Sequence, residues 1–242
     1  QNLTDTFKIS GDGVGSAAHD GTVNWSFALD NGLTQYLAAG EVVTVTYRVT
    51  VTDDSGITEA SGSNEVNART QDVTITITGT NDDPVITVVG GDSAAETLTE
   101  SNAALDTSGT LSVADVDLTN TVSVAVTSVQ ASGIITGLGS DNTALLSMLT
   151  VDSGAIIASG ATSGTINWDF DSSNPVTDEM FDYLAAGKHL TLTYVVTVTD
   201  SSGGTDTQEV VITINGTQDA PVAVPDTNTT TENSSLNVPA VS

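Results

Sequence analysis

Cysteine is absent from the 242 residues. No disulfide, thiolate nucleophile or zinc–thiolate site can therefore be built. Small secreted domains often rely on disulfides, so stability here has to come from a core or from another bound species. Bases are scarce as well. Four Lys and Arg stand against 31 Asp and Glu, a net charge of -27. Such a field repels phosphate backbones and anionic lipid, so neither nucleic acid nor an acidic membrane surface is an expected partner. It attracts cations, hard ones with oxygen ligands in particular. No apolar run approaches the roughly 18 residues that a membrane span needs. There is no initiator methionine and no signal peptide, and Gln1 opens directly into strand-like sequence, which reads as a piece of something longer. Only 4% of residues are aromatic.

Threonine is plentiful, with 40 residues. It is β-branched and polar, which suits the wet face of a strand. The chain also repeats itself. YLAAGEVVTVTYRVTVTDDSG (Tyr36 to Gly56) returns as YLAAGKHLTLTYVVTVTDSSG (Tyr183 to Gly203), with 15 of 21 positions identical. Within the first copy Val43, Val45, Tyr47, Val49 and Val51 alternate with polar residues, mostly threonine. In the second copy Leu190, Leu192, Tyr194, Val196 and Val198 alternate with mostly threonine. Period two over ten residues predicts a half-buried antiparallel strand. DDSG and DSSG then predict turns, and Val73, Ile75, Ile77 and Val210, Ile212, Ile214 predict the return strands of two hairpins.

TVNWSF around Trp25 matches TINWDF around Trp168, and GTNDDPV (Gly79 to Val85) matches GTQDAPV (Gly216 to Val222). The offsets differ between motifs, as loop insertions in a repeat allow. Each copy ends at a proline, which cannot donate to a strand ladder. The expected map is the C-terminal half of one repeat over residues 1–83, a complete repeat over 84–219 and the start of a third over 220–242. Short helical pieces are predicted near Ala144–Leu149 and Asp178–Ala186. Everything else reads as strand and turn, so the expected fold class is all-β, a tandem array of antiparallel β-sandwich repeats.

SGTLSVADVDLTN, YLAAG…LTYVVTVTDSSGG and VVITINGTQDAPV resemble the VCBS repeat. That repeat is a cadherin-like or immunoglobulin-like sandwich found in tandem in very large bacterial surface adhesins, many of them similar to the RTX adhesins exported by type I secretion. The resemblance covers nearly the whole chain. It implies a non-catalytic extender at the bacterial cell surface that projects distal binding domains for cell adhesion and biofilm formation. Its partners would be the neighbouring repeats of the same chain, with surface glycans or matrix reached through other domains. The opening of the third copy looks more like a neighbouring cadherin-like subtype. The glycine-rich RTX nonapeptide is absent, since Gly90-Gly91-Asp92 stands alone.

Strand direction places the acids. The first strand of the middle repeat is expected to start at Pro84 and run to Glu100 at the far end. The next, near Gly109 to Ala114, returns and delivers Asp115 and Asp117 to the Pro84 end. The long strand from Leu190 to Thr199 delivers Asp200 there, and the linker supplies Asn81, Asp82 and Asp83. A DxD on an extended segment aims both carboxylates to one side. Six oxygen-bearing residues from three segments suit Ca²⁺, which takes six to eight oxygens. Cadherins are similar, with linker acids, a DxD and an acid from the previous domain. The plainer alternative is that these are solvated turn acids. A second junction, with Asp219 in the place of Asp82 and Glu100 from the lower end, is expected to be incomplete, its DxD lying beyond Ser242. Asp53 is the counterpart of Asp200.

Other candidates are weaker. Val23, Trp25 and Phe27 share a face, as do Ile166, Trp168 and Phe170, so both tryptophans are expected in a core rather than as sugar platforms. His19 and His189 have no partner acid at useful spacing and read as surface residues. GDGVG (Gly11 to Gly15) lacks the third glycine of a dinucleotide loop and precedes no helix. No Ser–His–Asp set can be assembled, so catalysis is not expected. The Asn-Xaa-Ser/Thr sites at Asn215 and Asn228 are expected by chance in a threonine-rich chain. Thr44, Thr46, Thr50 and Thr52, predicted to lie beside Thr74, Thr76 and Thr78, form either an ordinary wet face or an array for ice or crystalline polysaccharide. The alternative function is a non-catalytic carbohydrate- or matrix-binding accessory module of a secreted glycan-active enzyme. Exposed aromatics in a groove would favour it.

Overall fold

The structure, a computed structural model, describes residues 3–11, 21–52, 68–139, 141–173 and 180–220. The N-terminal elements are helix α1 (Leu3–Thr6) and strands β1 (Phe7–Ser10), β2 (Asn24–Phe27), β3 (Val42–Thr52) and β4 (Ala68–Thr78). They are followed by β5 (Val85–Thr87), β6 (Ala95–Thr99), β7 (Asp106–Ala114), β8 (Val122–Gly133), helix α2 (Asn142–Ser147), β9 (Leu149–Val151), β10 (Ala155–Ile157), β11 (Ser163–Asp171), β12 (His189–Asp200) and β13 (Thr205–Asn215).

Strands β5 to β13 form a sandwich. One sheet has the order β10-β8-β12-β13-β6, the other β5-β7-β11-β9. The alternation along β12 explains the layering. Leu190, Leu192, Tyr194, Val196 and Val198 are all fully buried, and they face inward with Val210, Ile212 and Ile214 of β13. Leu111, Val113, Ile166, Trp168 and Phe170 close the core from the second sheet. Burying a large aliphatic or aromatic side chain contributes about 1.5–3 kcal/mol, so β12 alone contributes on the order of 10 kcal/mol. The polar tips of the core aromatics are satisfied. The Tyr194 hydroxyl donates to Leu145 O at 2.9 Å and Trp168 Nε1 to Ser93 O at 2.9 Å. The indole lies across Gly109, its register partner, where a Cβ would collide with the ring.

The prediction near Ala144–Leu149 is met by α2, whose N-terminal N–H groups at Thr143 and Ala144 donate to Asp141 Oδ1. Leu149 already belongs to β9. The predicted helix near Asp178–Ala186 is not found over 180–186, which is turn. Tertiary contact decides this. Phe181 and Leu184 are buried, Ala185 bridges Thr217, and a Cβ at Gly216 would collide with the Leu184 and Ala185 carbonyls. Leu37 and Ala38 meet Gly79 in the same way. The shared YLAAG is thus a loop docked on the shared Gly-Thr. The expected single strand from Pro84 to Glu100 is instead two strands in different sheets, broken by a turn at Gly91 (φ 106°).

Strands β1 to β4 repeat part of this pattern. β1 pairs with β2 (Phe7 opposite Phe27, Ile9 opposite Trp25) as β9 pairs with β11 (Leu149 opposite Phe170, Val151 opposite Trp168). β3 and β4 form the first predicted hairpin, with Thr44 beside Thr76 and Thr46 beside Thr74. Thr50 lies beside Thr70, Thr52 beside Ala68 and Thr78 beside Val42. The residues joining β3 to β4 lie outside the described ones. So do Asp53, His19, Asn228, GDGVG beyond Gly11, and the third repeat beyond Ala220.

Burial separates the two copies. Trp25 is 48% exposed while its counterpart Trp168 is 0% exposed, so the expectation of a core Trp25 is corrected. The alternation was read correctly; what differs is the cover. Trp168 lies under β7 and Ser93, and among the described residues β1 and β2 pair only with each other. Trp25 instead stacks on Phe7 at 5.5 Å, and Phe7 on Tyr47 at 4.3 Å. In β3 only Val49 is buried. Amide hydrogen exchange is therefore expected to show much weaker protection in β3 and β4 than in β12 and β13. Equal protection in these near-identical strands would contradict the burial difference.

Candidate metal centre

The acids predicted at the Pro84 end do meet. β5 runs antiparallel to β7 with Val85 opposite Ala114, which puts Asp115 beside the linker. Asp200 ends β12 opposite Val122, the first residue of β8, at the same end of the sandwich. Hydrogen bonds then tie the three segments together. The Asp82 N–H donates to Asp117 Oδ2 at 3.0 Å, and the Asp117 N–H donates to Asp115 Oδ1 at 2.9 Å. Asn81 Nδ2 donates to Asp200 Oδ2 at 2.9 Å, and more loosely to Asp83 Oδ1 at 3.5 Å. Asp200 Oδ1 accepts from the N–H groups of Ser202 and Gly204, each at 2.8 Å. A Cβ at Gly204 would enter the space between Asp83 Oδ1, Asp200 Oδ2 and Asn81 Nδ2, so any larger residue would push these side-chain ends apart.

Burial makes this cluster unusual. Asp115, Asp117 and Asp200 are buried, Asp82 is half-buried and Asp83 is exposed. Asp115 Oδ2 and Asp117 Oδ1 are both buried without a hydrogen-bond partner. Buried polar atoms are normally satisfied, and an unmet one costs about 1–3 kcal/mol. Burial pushes the carboxyls of Asp115 and Asp117 above the usual carboxylate range, and neighbouring charges add to it. Those charges are Asp82, Asp200, Glu41 and the Asp115–Asp117 pair itself, all acids. Among the described residues no three His, Asp or Glu side chains already stand in metal-holding geometry. The backbone and amide N–H donors occupy one oxygen of each buried DxD carboxylate and leave the other unmatched. A proton or a hard cation is the kind of partner that matches it.

The pH dependence has a definite sign. A carboxyl whose folded pKa is raised contributes stability that is fully present below its unfolded pKa and is lost as pH rises through the folded value. The chelated chain is expected to melt at higher temperature as pH falls from neutrality toward the ordinary carboxylate range, about pH 4. Below that range the trend reverses. Asp92 is held low by the Val89 N–H and Thr110, and Asp171 by Ser173, so their contributions vanish on further acidification. Scanning calorimetry from about pH 8 to 3 checks this. The Asp115→Asn, Asp117→Asn double variant should flatten the upper limb, and an unchanged limb would assign it to net charge alone.

Glu100 lies at the opposite end of the sandwich, 2% exposed. Its N–H donates to Asn215 O, its Oε1 accepts from the Thr217 N–H at 2.7 Å and from the Thr217 hydroxyl, and its Oε2 is buried without a partner. Asp219 is exposed, and the residue that meets Glu100 is Thr217, not Asp219.

Four participants were missed. Asn120 is buried and donates to Asn81 Oδ1 at 2.9 Å and Asp117 Oδ2 at 3.3 Å. Ser201 and Ser202 donate to Asn120 Oδ1, each at 3.3 Å, and Gln35 reaches Asp82 Oδ2 at 3.3 Å. The asparagine three residues after the DxD, in DVDLTN, was the available signal. Gln35 carried none, because only the folded chain brings it to the linker. Of the remaining candidates, His189 opens β12 exposed and Asn215 ends β13 exposed, as surface residues do.

The strands define an all-β sandwich, antiparallel except where β6 runs parallel to β13, with a carboxylate cluster at one end. No family model matches the chain, and no curated protein matches it. Similar solved structures include the CooA pilin subunit from enterotoxigenic Escherichia coli, at 13% identity over 57% of this chain and 100% of that one, TM-score 0.33. The protocadherin GammaB4 extracellular domain is similar at 15% identity over 87% of this chain and 27% of that one, TM-score 0.36. The PapD-like domain 7 of human CEP192 is similar at 10% identity over 58% of this chain and 89% of that one, TM-score 0.31. None of these likenesses bears on what this chain binds. No helix among the described residues is long and apolar enough to cross a membrane.

Proposed function

We propose that the chain is a non-catalytic spacer of repeated sandwiches, part of an extracellular adhesion protein, whose joints are stiffened by Ca²⁺. The repeat boundaries near 83 and 219 are the joints. One observation carries the reading. Where the linker Asn81–Asp83 meets the sandwich, Asp115 Oδ2 and Asp117 Oδ1 are buried without partners, and every charge acting on the pair is negative. Asp82, Asp83, Asp115, Asp117, Asp200 and the Asn81 carbonyl oxygen are the residues that would hold the ion, and it would neutralise the cluster and tie linker to sandwich. At the other end, Glu100 with its unmatched Oε2 would serve the next joint. Titration calorimetry with Ca²⁺ tests this on the full chain. Binding at millimolar Ca²⁺ that Asp117→Asn weakens about tenfold or more supports it; no binding at that concentration overturns it.

A second reading rests on Trp25. It lines a groove of about 380 Å³ with Val23, Val49, Val51 and Val73, which is where a sugar-binding module would place an aromatic. The repeat argues against it, because the same motif buries Trp168 completely. A Trp fluorescence change with oligosaccharides at millimolar concentration would restore it.

A further inference from the structure

The residue after the YLAAG loop changes sign between the two copies, Glu41 in the first and Lys188 in the second. The backbone around them is the same. The Glu41 N–H donates to Ala38 O, and Glu41 O accepts from the Gly79 N–H. The Lys188 N–H donates to Ala185 O, and Lys188 O accepts from the Gly216 N–H. Each side chain therefore starts from the same point, against the glycine that opens the linker. In the first copy that point lies at the acid cluster. The Leu118 N–H, next to Asp117, donates to Tyr36 O at the head of the same loop at 3.1 Å. Glu41 Oε2 is fixed by the Ala38 N–H at 3.0 Å. Its charge acts on the buried Asp117.

The linkers differ in the same direction. Asn81-Asp82-Asp83 in the first copy becomes Gln218-Asp219-Ala220 in the second. Loop and linker of the first copy thus bring three negative charges, Glu41, Asp82 and Asp83. In the second copy Lys188 and Asp219 cancel. The first set faces Asp115 and Asp117, each buried with one oxygen unmatched, and none of the charges acting on that pair is positive. We propose that the residue at the place of Glu41 sets how far a joint depends on a divalent cation. Glutamate there makes the joint need the ion, and lysine there supplies positive charge of its own and lowers that need. The inference rests on the Ca²⁺ reading and adds the residue that tunes it. Ca²⁺ affinity follows the number of charged ligands around the ion, so each acid at the rim strengthens binding. A lysine ammonium on its flexible four-carbon stem is a tethered point charge, able to offset part of the same repulsion without an ion.

Titration calorimetry with Ca²⁺ and X-ray scattering in chelator test this on the full chain. Glu41→Gln keeps an oxygen for the Ala38 N–H and removes one charge, and should weaken Ca²⁺ binding about tenfold. That loss should shrink at high salt, as an effect of charge does and an effect of packing does not. Glu41→Lys should weaken binding further, about a hundredfold. In chelator it should give the narrow distribution of shapes expected of the parent only in Ca²⁺. Glu209→Lys makes the same change of charge on the exposed face of β13 and should leave both readouts at the parent values. A parent that binds Ca²⁺ while Glu41→Lys binds it equally well, or scatters as broadly as the parent in chelator, overturns this inference and leaves the Ca²⁺ reading standing. A Glu209→Lys chain that behaves as Glu41→Lys does overturns it in favour of net charge. A parent that binds no Ca²⁺ at millimolar concentration overturns the Ca²⁺ reading and this inference with it.

Discussion

Val196→Asp or Ile212→Asp is expected to abolish the cooperative melting transition of the sandwich. Both side chains are fully buried, Val196 on β12 between β8 and β13, Ile212 on β13 opposite Leu192. The substitution loses about 1.5–3 kcal/mol of apolar burial. It also buries a carboxylate with no counter-charge, which costs several kcal/mol more or forces the group to take up a proton. Domain stability is about 5–15 kcal/mol, so the sum approaches or exceeds what is available. Near-UV circular dichroism reads the loss directly, because Trp168 and Tyr194 sit in the same core. A variant that melts within a degree or two of the parent would mean the strand faces are assigned wrongly.

The repeat supplies an internal control. Ile75 is the counterpart of Ile212 in β4, and it is only half-buried. Ile75→Asp leaves its carboxylate in reach of water, so the expected cost is about 1–2 kcal/mol, well below that at Ile212. The two substitutions are chemically identical and fall in matching sequence. Only the cover over the strand differs.

That contrast also shows what could be read from the amino acids alone. Period-two alternation, the two hairpins and the delivery of Asp115, Asp117 and Asp200 to the Pro84 end depend on local pattern and strand direction, and the folded chain has them. Trp25 was misread because burial needs a second layer, which alternation within one strand does not report. The piece near Asp178–Ala186 was misread as helix because its composition is helical while its contacts are with Gly216 and Thr217, some 30 residues away. Asn120 was missed at the site because its role is to serve others. It holds Asn81, Asp117 and the Ser201–Ser202 turn at once, a job visible only when all three are placed.

If Ca²⁺ binds as proposed, removing it is expected to loosen the joint near Pro84 while the sandwich stays folded. Carboxylates about 5 Å apart repel by about 3 kcal/mol per pair at an effective dielectric of 20. Asp82, Asp83, Asp115, Asp117 and Asp200 gather in one place, and the hydrogen bonds among them come from Asn81, Asn120 and backbone N–H groups, which carry no net charge. Extracellular calcium modules bind with Kd near 10⁻⁴ to 10⁻³ M. At roughly ten times Kd, binding adds about 1.4 kcal/mol per site. That is small beside the β12 and β13 core, so chelation should lower the Tm of the sandwich by only a few degrees. The linker has much less to hold it. Apart from its bonds to the acid cluster, its tie to the N-terminal strands is the Gln35–Asp82 contact, and the Tyr36 O to Leu118 N–H bond spans the same joint. X-ray scattering in millimolar Ca²⁺ should give a narrow distribution of shapes, and chelator should broaden it with no loss of β-sheet circular dichroism. On the proposed reading, Asp117→Asn should show part of that broadening even in Ca²⁺, because an amide replaces one of the two buried carboxylates that would face the ion. Scattering that is identical with and without Ca²⁺, alongside calorimetry that finds no binding, would leave a joint held by hydrogen bonds, those of Gln35, Tyr36 and Asn120 and those that Asn81 and the Asp82 N–H donate to Asp200 and Asp117.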